Sequence, residues 1–276
     1  TLSLKAASDY QEGLAKVQTL IHASTEGLTA LGNAQRALAR EFGVNLVDQL
    51  GALYDALSAG VASTATSTEH MRVVNTAAVA GWTDVRIVGE AIIRVMEAYK
   101  KSNVSAMEAS DSLFRTVDKG IIEMKELAPI IGNVAGLAAN SGISLDEMAA
   151  ALATISITSK PEEAVTRLIA LLQGFAAPAE TAQKAAAGIG FGLNAVNLAT
   201  KGLSGTMAEL GRALKVATIE GLDDFIKTGS NGAAVMNQIA AATGLTIQEL
   251  SAIFPNIRAL QGALSLLSND AAKFAE

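Results

Sequence analysis

The chain has 276 residues, of which 50% are apolar, 17% charged and 4% aromatic, with no cysteine and a formal net charge of -6. That length and apolar content suffice to bury a large core, while the missing cysteines exclude disulfides and thiolate metal sites. An acidic balance whose longest Lys/Arg run is Lys100-Lys101 argues against a phosphate-neutralising surface, so no direct sequence-specific recognition of nucleic acid is expected.

A mean hydropathy of +0.33 combined with so few charges points to a surface that faces another chain, and less readily lipid. The apolar excess is mostly alanine, which lets helices approach closely, and the scarce aromatics supply few anchors for a sandwich or barrel. The expected fold class is all-α: an irregular bundle of short helices joined by capped turns, with room for longer helices at the ends. Three segments are expected, an N-terminal helical segment over 1–40, a central helical region over 41–215 and a C-terminal helical segment over 216–276. Thr1 is not a start methionine, which suggests the ordered part of a longer protein.

Along the chain the helical period is clear from Val85, Val88, Ile92, Val95, Met96 and Tyr99, and again from Val165, Leu168, Ile169, Leu172 and Phe175. Before the first of these, Gly81-Trp82-Thr83-Asp84 reads as an incomplete helix start, with Trp82 packed as the staple that precedes a Thr83 cap. Three complete starts follow one pattern, a turn residue, an apolar residue, Ser or Thr, and an acid three positions on. They are Ser105 with Glu108 after Asn103-Val104, Ser144 with Glu147 after Gly142-Ile143, and Thr246 with Glu249 after Gly244-Leu245.

In such a box the hydroxyl accepts from an otherwise unpaired amide and the carboxylate reaches back to the cap amide, each cap contributing about 1 kcal/mol. Staples Ile143 against Met148 and Leu245 against Leu250 are available at two of them. Ser159 with Glu162, around Pro161 in the first turn, reads as a fourth start. These starts divide the chain into helices of roughly 12 to 20 residues.

Three uncharged stretches, 127–145, 185–200 and 228–248, are long enough to raise the question of a membrane span. They are interrupted by Pro129, Asn133, Asn140, Gly188, Gly190, Asn194, Asn197 and Gly229-Ser230-Asn231-Gly232, and therefore read as buried helices joined by loops.

No catalytic, cofactor or metal residue is assigned. His22 and His70 stand apart in sequence and outside any metal-ligand spacing. Gly188-Ile189-Gly190-Phe191-Gly192 lacks both the third glycine of a dinucleotide loop and a preceding strand, so it reads as a turn. The acidic pairs Asp146-Glu147 and Glu162-Glu163 fall in first helical turns, where negative charge complements the helix dipole, and Asp223-Asp224 reads as a solvated helix start.

From Asp111 to Gly120 the string DSLFRTVDKG resembles the core region of tailed-phage tape-measure proteins. The resemblance continues in order through Glu126-Leu127-Ala128, Gly132-Asn133-Val134, Ala138, Gly142-Ile143-Ser144 and Glu147 to Leu152. Upstream it includes Tyr54 to Val61 and Trp82-Thr83-Asp84. Downstream it includes Leu168, Leu171, Leu172, Pro178, Gly188-Ile189-Gly190 and Phe254 to Leu260. It thus spans about residues 40 to 265, departing where Ile157 to Pro161 replaces a Thr-rich turn with glycine.

The resemblance implies a virion protein in the lumen of the tail that sets tail length, scaffolds tube assembly from the host cytoplasm onward, and leaves ahead of DNA during ejection. It also implies a homo-oligomer, a trimer, whose partners are tail-tube proteins, tail-tip or baseplate proteins and tail assembly chaperones. Two other classes compete with this reading. One is a membrane-active or pore-forming segment that contacts the host envelope during ejection; the other is an unrecognised cell-wall hydrolase.

Overall fold

Many of the helices begin at a side chain that takes up a free amide. The computed structural model describes residues 2–21, 23–216 and 219–268; His22 lies outside them. Among the described residues the chain forms sixteen α-helices and no strand, 76% of it helical, as the alanine-rich composition implied.

Two compact units result, the first comprising residues 1–114 and 123–132 and the second residues 115–122 and 133–276.

In the first unit α1 (Leu2–Gln18), α2 (Thr25–Phe42), α3 (Leu46–Ser58), α4 (Ser67–Ala80) and α5 (Val85–Ala98) pack around α3, which touches all four others. Leu38, Leu50, Leu53, Met71, Val74, Val88 and Ile92 form its core. The α3–α5 pair is close because Gly89 puts its backbone against the Ala52 and Val74 side chains, where an added Cβ would stand 3.4 and 3.3 Å from them. α6 (Ala106–Lys119) begins in this unit, and the short α7 (Met124–Leu127) packs on α5.

The second unit is built on α9 (Leu145–Ser156), α10 (Pro161–Ala176) and α16 (Ile257–Leu267), after α8 (Ile131–Asn140) has entered it. Gly262 of α16 lies so close to α10 that a Cβ there would come within 2.9 Å of the Arg167 carbonyl oxygen. α11 (Glu180–Gly188), α12 (Ala195–Leu214), α13 (Leu222–Thr228), α14 (Gly232–Thr243) and α15 (Ile247–Ile253) complete it. The Phe175 and Phe191 rings meet edge-on at 5.9 Å between centroids.

Six helices fall short of the 12 residues expected as a lower bound: α7, α8, α11, α13, α15 and α16. Glycines at positive φ end several elements early; Gly142, Gly229 and Gly244 all adopt φ between 76 and 78°, a conformation that stops a helix at little steric cost. Each of the three uncharged stretches is broken in this way. Among the described residues no helix is long and apolar enough to cross a membrane.

Candidate functional site: capped helix starts and an exposed tryptophan turn

Glu108 Oε2 accepts from the Ser105 backbone amide at 2.8 Å while Ser105 Oγ accepts from the Glu108 amide at 3.2 Å. Thr246 and Glu249 repeat the geometry with the same two distances. At Ser144 and Glu147 the corresponding bonds are 3.4 and 3.2 Å. The backbone amides, followed by the hydroxyls, hold the Glu108 and Glu249 carboxyls below their ordinary pKa.

Ser159 departs from this pattern. Lys160 is the N-cap of α10 and Pro161 its first residue, while Ser159 Oγ donates back to the Ile155 carbonyl at 2.9 Å. The hydroxyl is spent closing α9, which moves the start one residue on and leaves Glu162 without a cap partner. The next acid, Glu163, accepts from Arg167 Nη2 at 2.8 Å.

Trp82 is not the packed staple expected. It is 92% exposed, its backbone lies at φ 50°, and the cap of α5 is Asp84, whose Oδ1 accepts from the Arg86 amide at 2.7 Å. A cap one residue later turns the tryptophan outward. Gly81 behind it is fixed, since a Cβ there would stand 2.6 Å from Met124 Cγ.

Sequence reasoning missed further caps. Ser24, Asn45, Asn194 and Asn256 each accept from a helical amide at 2.7 to 3.1 Å, and Glu126 takes up the Glu123 amide at 3.0 Å ahead of α7. An Asx or Ser before a periodic run was the available signal; the Glu–Glu arrangement offered none.

Two buried polar centres were also missed. In the first unit Asn75 Nδ2 donates to Gln49 Oε1 at 3.0 Å and Gln49 Nε2 to Gln35 Oε1 at 2.9 Å, with all three residues fully buried. In the second, Arg167 is 1% exposed, and its Nε and Nη1 have no hydrogen-bond partner. Single polar residues on apolar faces carry no sequence signal of mutual contact.

At least one member of each acidic pair is engaged at a helix start. Asp146 binds Arg115 at 2.9 Å, Glu163 binds Arg167, and Asp224 Oδ2 accepts from Asn231 at 3.2 Å. His70, the histidine among the described residues, is 6% exposed on α4, and burial lowers its pKa. No group of three His, Cys, Asp or Glu side chains positioned to hold a metal occurs among the described residues. Gly188 to Gly192 forms the turn after α11, where Gly190 sits at φ 74° and the Gly192 carbonyl accepts from Asn197 at 2.9 Å. A concavity of about 960 Å³ is lined by Gly211, Arg212, Lys215, Leu222 and Asp223-Asp224; Lys215 Nζ donates to the Ala242 carbonyl at 2.6 Å.

An array of short helices, many of them opened by a side-chain cap, with no strand among the described residues, defines an all-α protein. The family model for phage-related minor tail proteins matches residues 32–228, and the chain belongs to that family. It is a structural protein of the phage tail, located in the virion tail, and its partners are other tail components. No match is found among curated proteins or among solved structures.

Proposed function

We propose that this chain is the folded module of a tape-measure protein that governs tail length and supports tail-tube assembly from the lumen. The observation that carries the reading is the ordered set of motifs from Tyr54 to Leu260, most of which falls within the stretch that matches the minor tail family. Its physical content supports the same reading. Gly120 in the central string lets the turn after α6 lie against the end of α9, since a Cβ there would lie 2.5 Å from Ser156 Oγ, and that hydroxyl accepts from the Ile121 amide at 3.1 Å. Gly142-Ile143-Ser144 with Glu147 opens α9.

A linear ruler of this many residues would be one helix about 400 Å long. The described residues instead form sixteen short helices in two compact units, so in this reading the chain docks or terminates the ruler while the graduated length lies elsewhere in the parent protein. It acts as a trimer, meets tail-tube and tail-tip or baseplate proteins and assembly chaperones, and departs ahead of DNA. The test is an in-frame deletion of residues 41–215 in the phage, with particles viewed by electron microscopy. Tails that fail to assemble or change length are expected; tails of unchanged length that still eject DNA would remove the reading.

A further inference from the structure

α12 is helical on both sides of one residue. Gly202 adopts φ 69° and ψ 178° inside an element otherwise continuous from Ala195 to Leu214, a conformation essentially confined to glycine. The chain bends there sharply enough that Asn197 Nδ2 donates to Glu209 Oε2 at 3.2 Å, and Lys201 forms an ion pair with the same carboxylate. Residues twelve apart on a straight helix are separated by about 18 Å. The Asn197–Glu209 contact therefore exists only in the bent form.

The bend is held from outside as well. Glu147 Oε1 accepts from the Ser204 amide at 3.3 Å, and a Cβ on Gly202 would stand 2.3 Å from that oxygen. The segment beyond the bend, 203–214, is anchored by buried Leu203, Met207, Leu210 and Leu214. In the arm 195–201 only Leu198 is buried, and Val196 is 74% exposed. The arm is attached to the rest of its helix through these polar contacts and rests on its surroundings through Leu198 and through Ala199 against Gly142.

We propose that α12 is a jointed helix with two states, the bent one seen here and a straight twenty-residue rod, and that Glu147 and Glu209 latch it bent. Changing the two backbone dihedrals of Gly202 to helical values converts one into the other. The same change withdraws Leu198 and draws out the six-residue linker 189–194. That linker can span about 20 Å when extended, and extending it also takes the buried Phe191 and Leu193 side chains out of the core while residues 203–214 stay packed.

Because the chain has no cysteine, spin labels at Val196→Cys and Arg212→Cys report the joint without background. A straight helix puts these positions about 24 Å apart. The labelled parent is expected to show one shorter distance. Gly202→Ala, which cannot keep the bend and favours helix, is expected to make the long distance dominant. Glu209→Gln with Asn197→Ala, which leaves the core untouched, should raise its population at least severalfold. Retention of the short distance alone in the latch variant, whether Gly202→Ala remains folded or unfolds, would overturn the proposal. So would a folded Gly202→Ala that stays bent.

Discussion

One carboxylate, that of Glu147, serves two helix starts. Its Oε2 accepts from the Ser144 amide at 3.4 Å, and its Oε1 from the Ser204 amide at 3.3 Å, fifty-seven positions away. Removing it costs more than removing the hydroxyl it partners. Ser144→Ala is expected to lose about 1 kcal/mol, whereas Glu147→Ala leaves free amides at both starts and should lose about twice that. Denaturant midpoints of the two variants and their double mutant check this; equal losses would mean that the Ser204 bond contributes nothing.

Arg167 takes a charge into the α10–α16 seam with a single bond to Glu163, and its Nε and Nη1 are unpaired. Desolvating a guanidinium costs several kcal/mol, which one partner recovers only in part. Arg167→Met, of similar volume and without charge, is expected to leave stability unchanged or raise it by about 1 to 4 kcal/mol. Thermal unfolding is the measurement, and a lower midpoint would contradict the expectation.

Gln49 links Gln35 to Asn75 at the meeting of α2, α3 and α4. Gln49→Leu keeps the volume but strands the Asn75 amide and the Gln35 oxygen away from water. A loss of about 2 to 3 kcal/mol is expected, together with faster hydrogen exchange in α2 to α4. Asn75→Ala in the same background should then cost little more, because its partner has already gone.

His70 is buried and its folded-state pKa is lowered by desolvation. Above the unfolded value, about 6.5, both states are neutral and pH has no effect through this group. Below it the unfolded chain takes up a proton that the folded chain refuses, so stability falls with pH, by up to about 1.4 kcal/mol per unit, until the folded pKa is passed. Urea unfolding between pH 7 and pH 5 is expected to show that slope and His70→Gln to flatten it.

Trp82 combines near-complete exposure with a left-handed backbone that costs a bulky residue about 1 kcal/mol. Trp82→Gly is therefore expected to be neutral or stabilising by up to about 1 kcal/mol. The fluorescence of this sole tryptophan should resemble that of the unfolded chain. A blue-shifted native spectrum would show the ring covered.

The helical class, the acidic and cysteine-free composition and the capping boxes at Ser105, Ser144 and Thr246 were legible in the residues alone. A box is a contact between residues three apart, and its energetics are complete within one turn. The family resemblance also pointed to the phage tail. That Ser159 closes α9 instead of opening α10, that Trp82 faces outward and that α12 bends came from packing. It also brought Gln35, Gln49 and Asn75 together and set Glu147 against Gly202. Each of these depends on a competitor or partner supplied by another element: a carbonyl left free at a helix end, a cap shifted by one residue, or a carboxylate arriving from far along the chain. Local spacing fixes where a helix can start, and packing chooses which available donor and acceptor meet there.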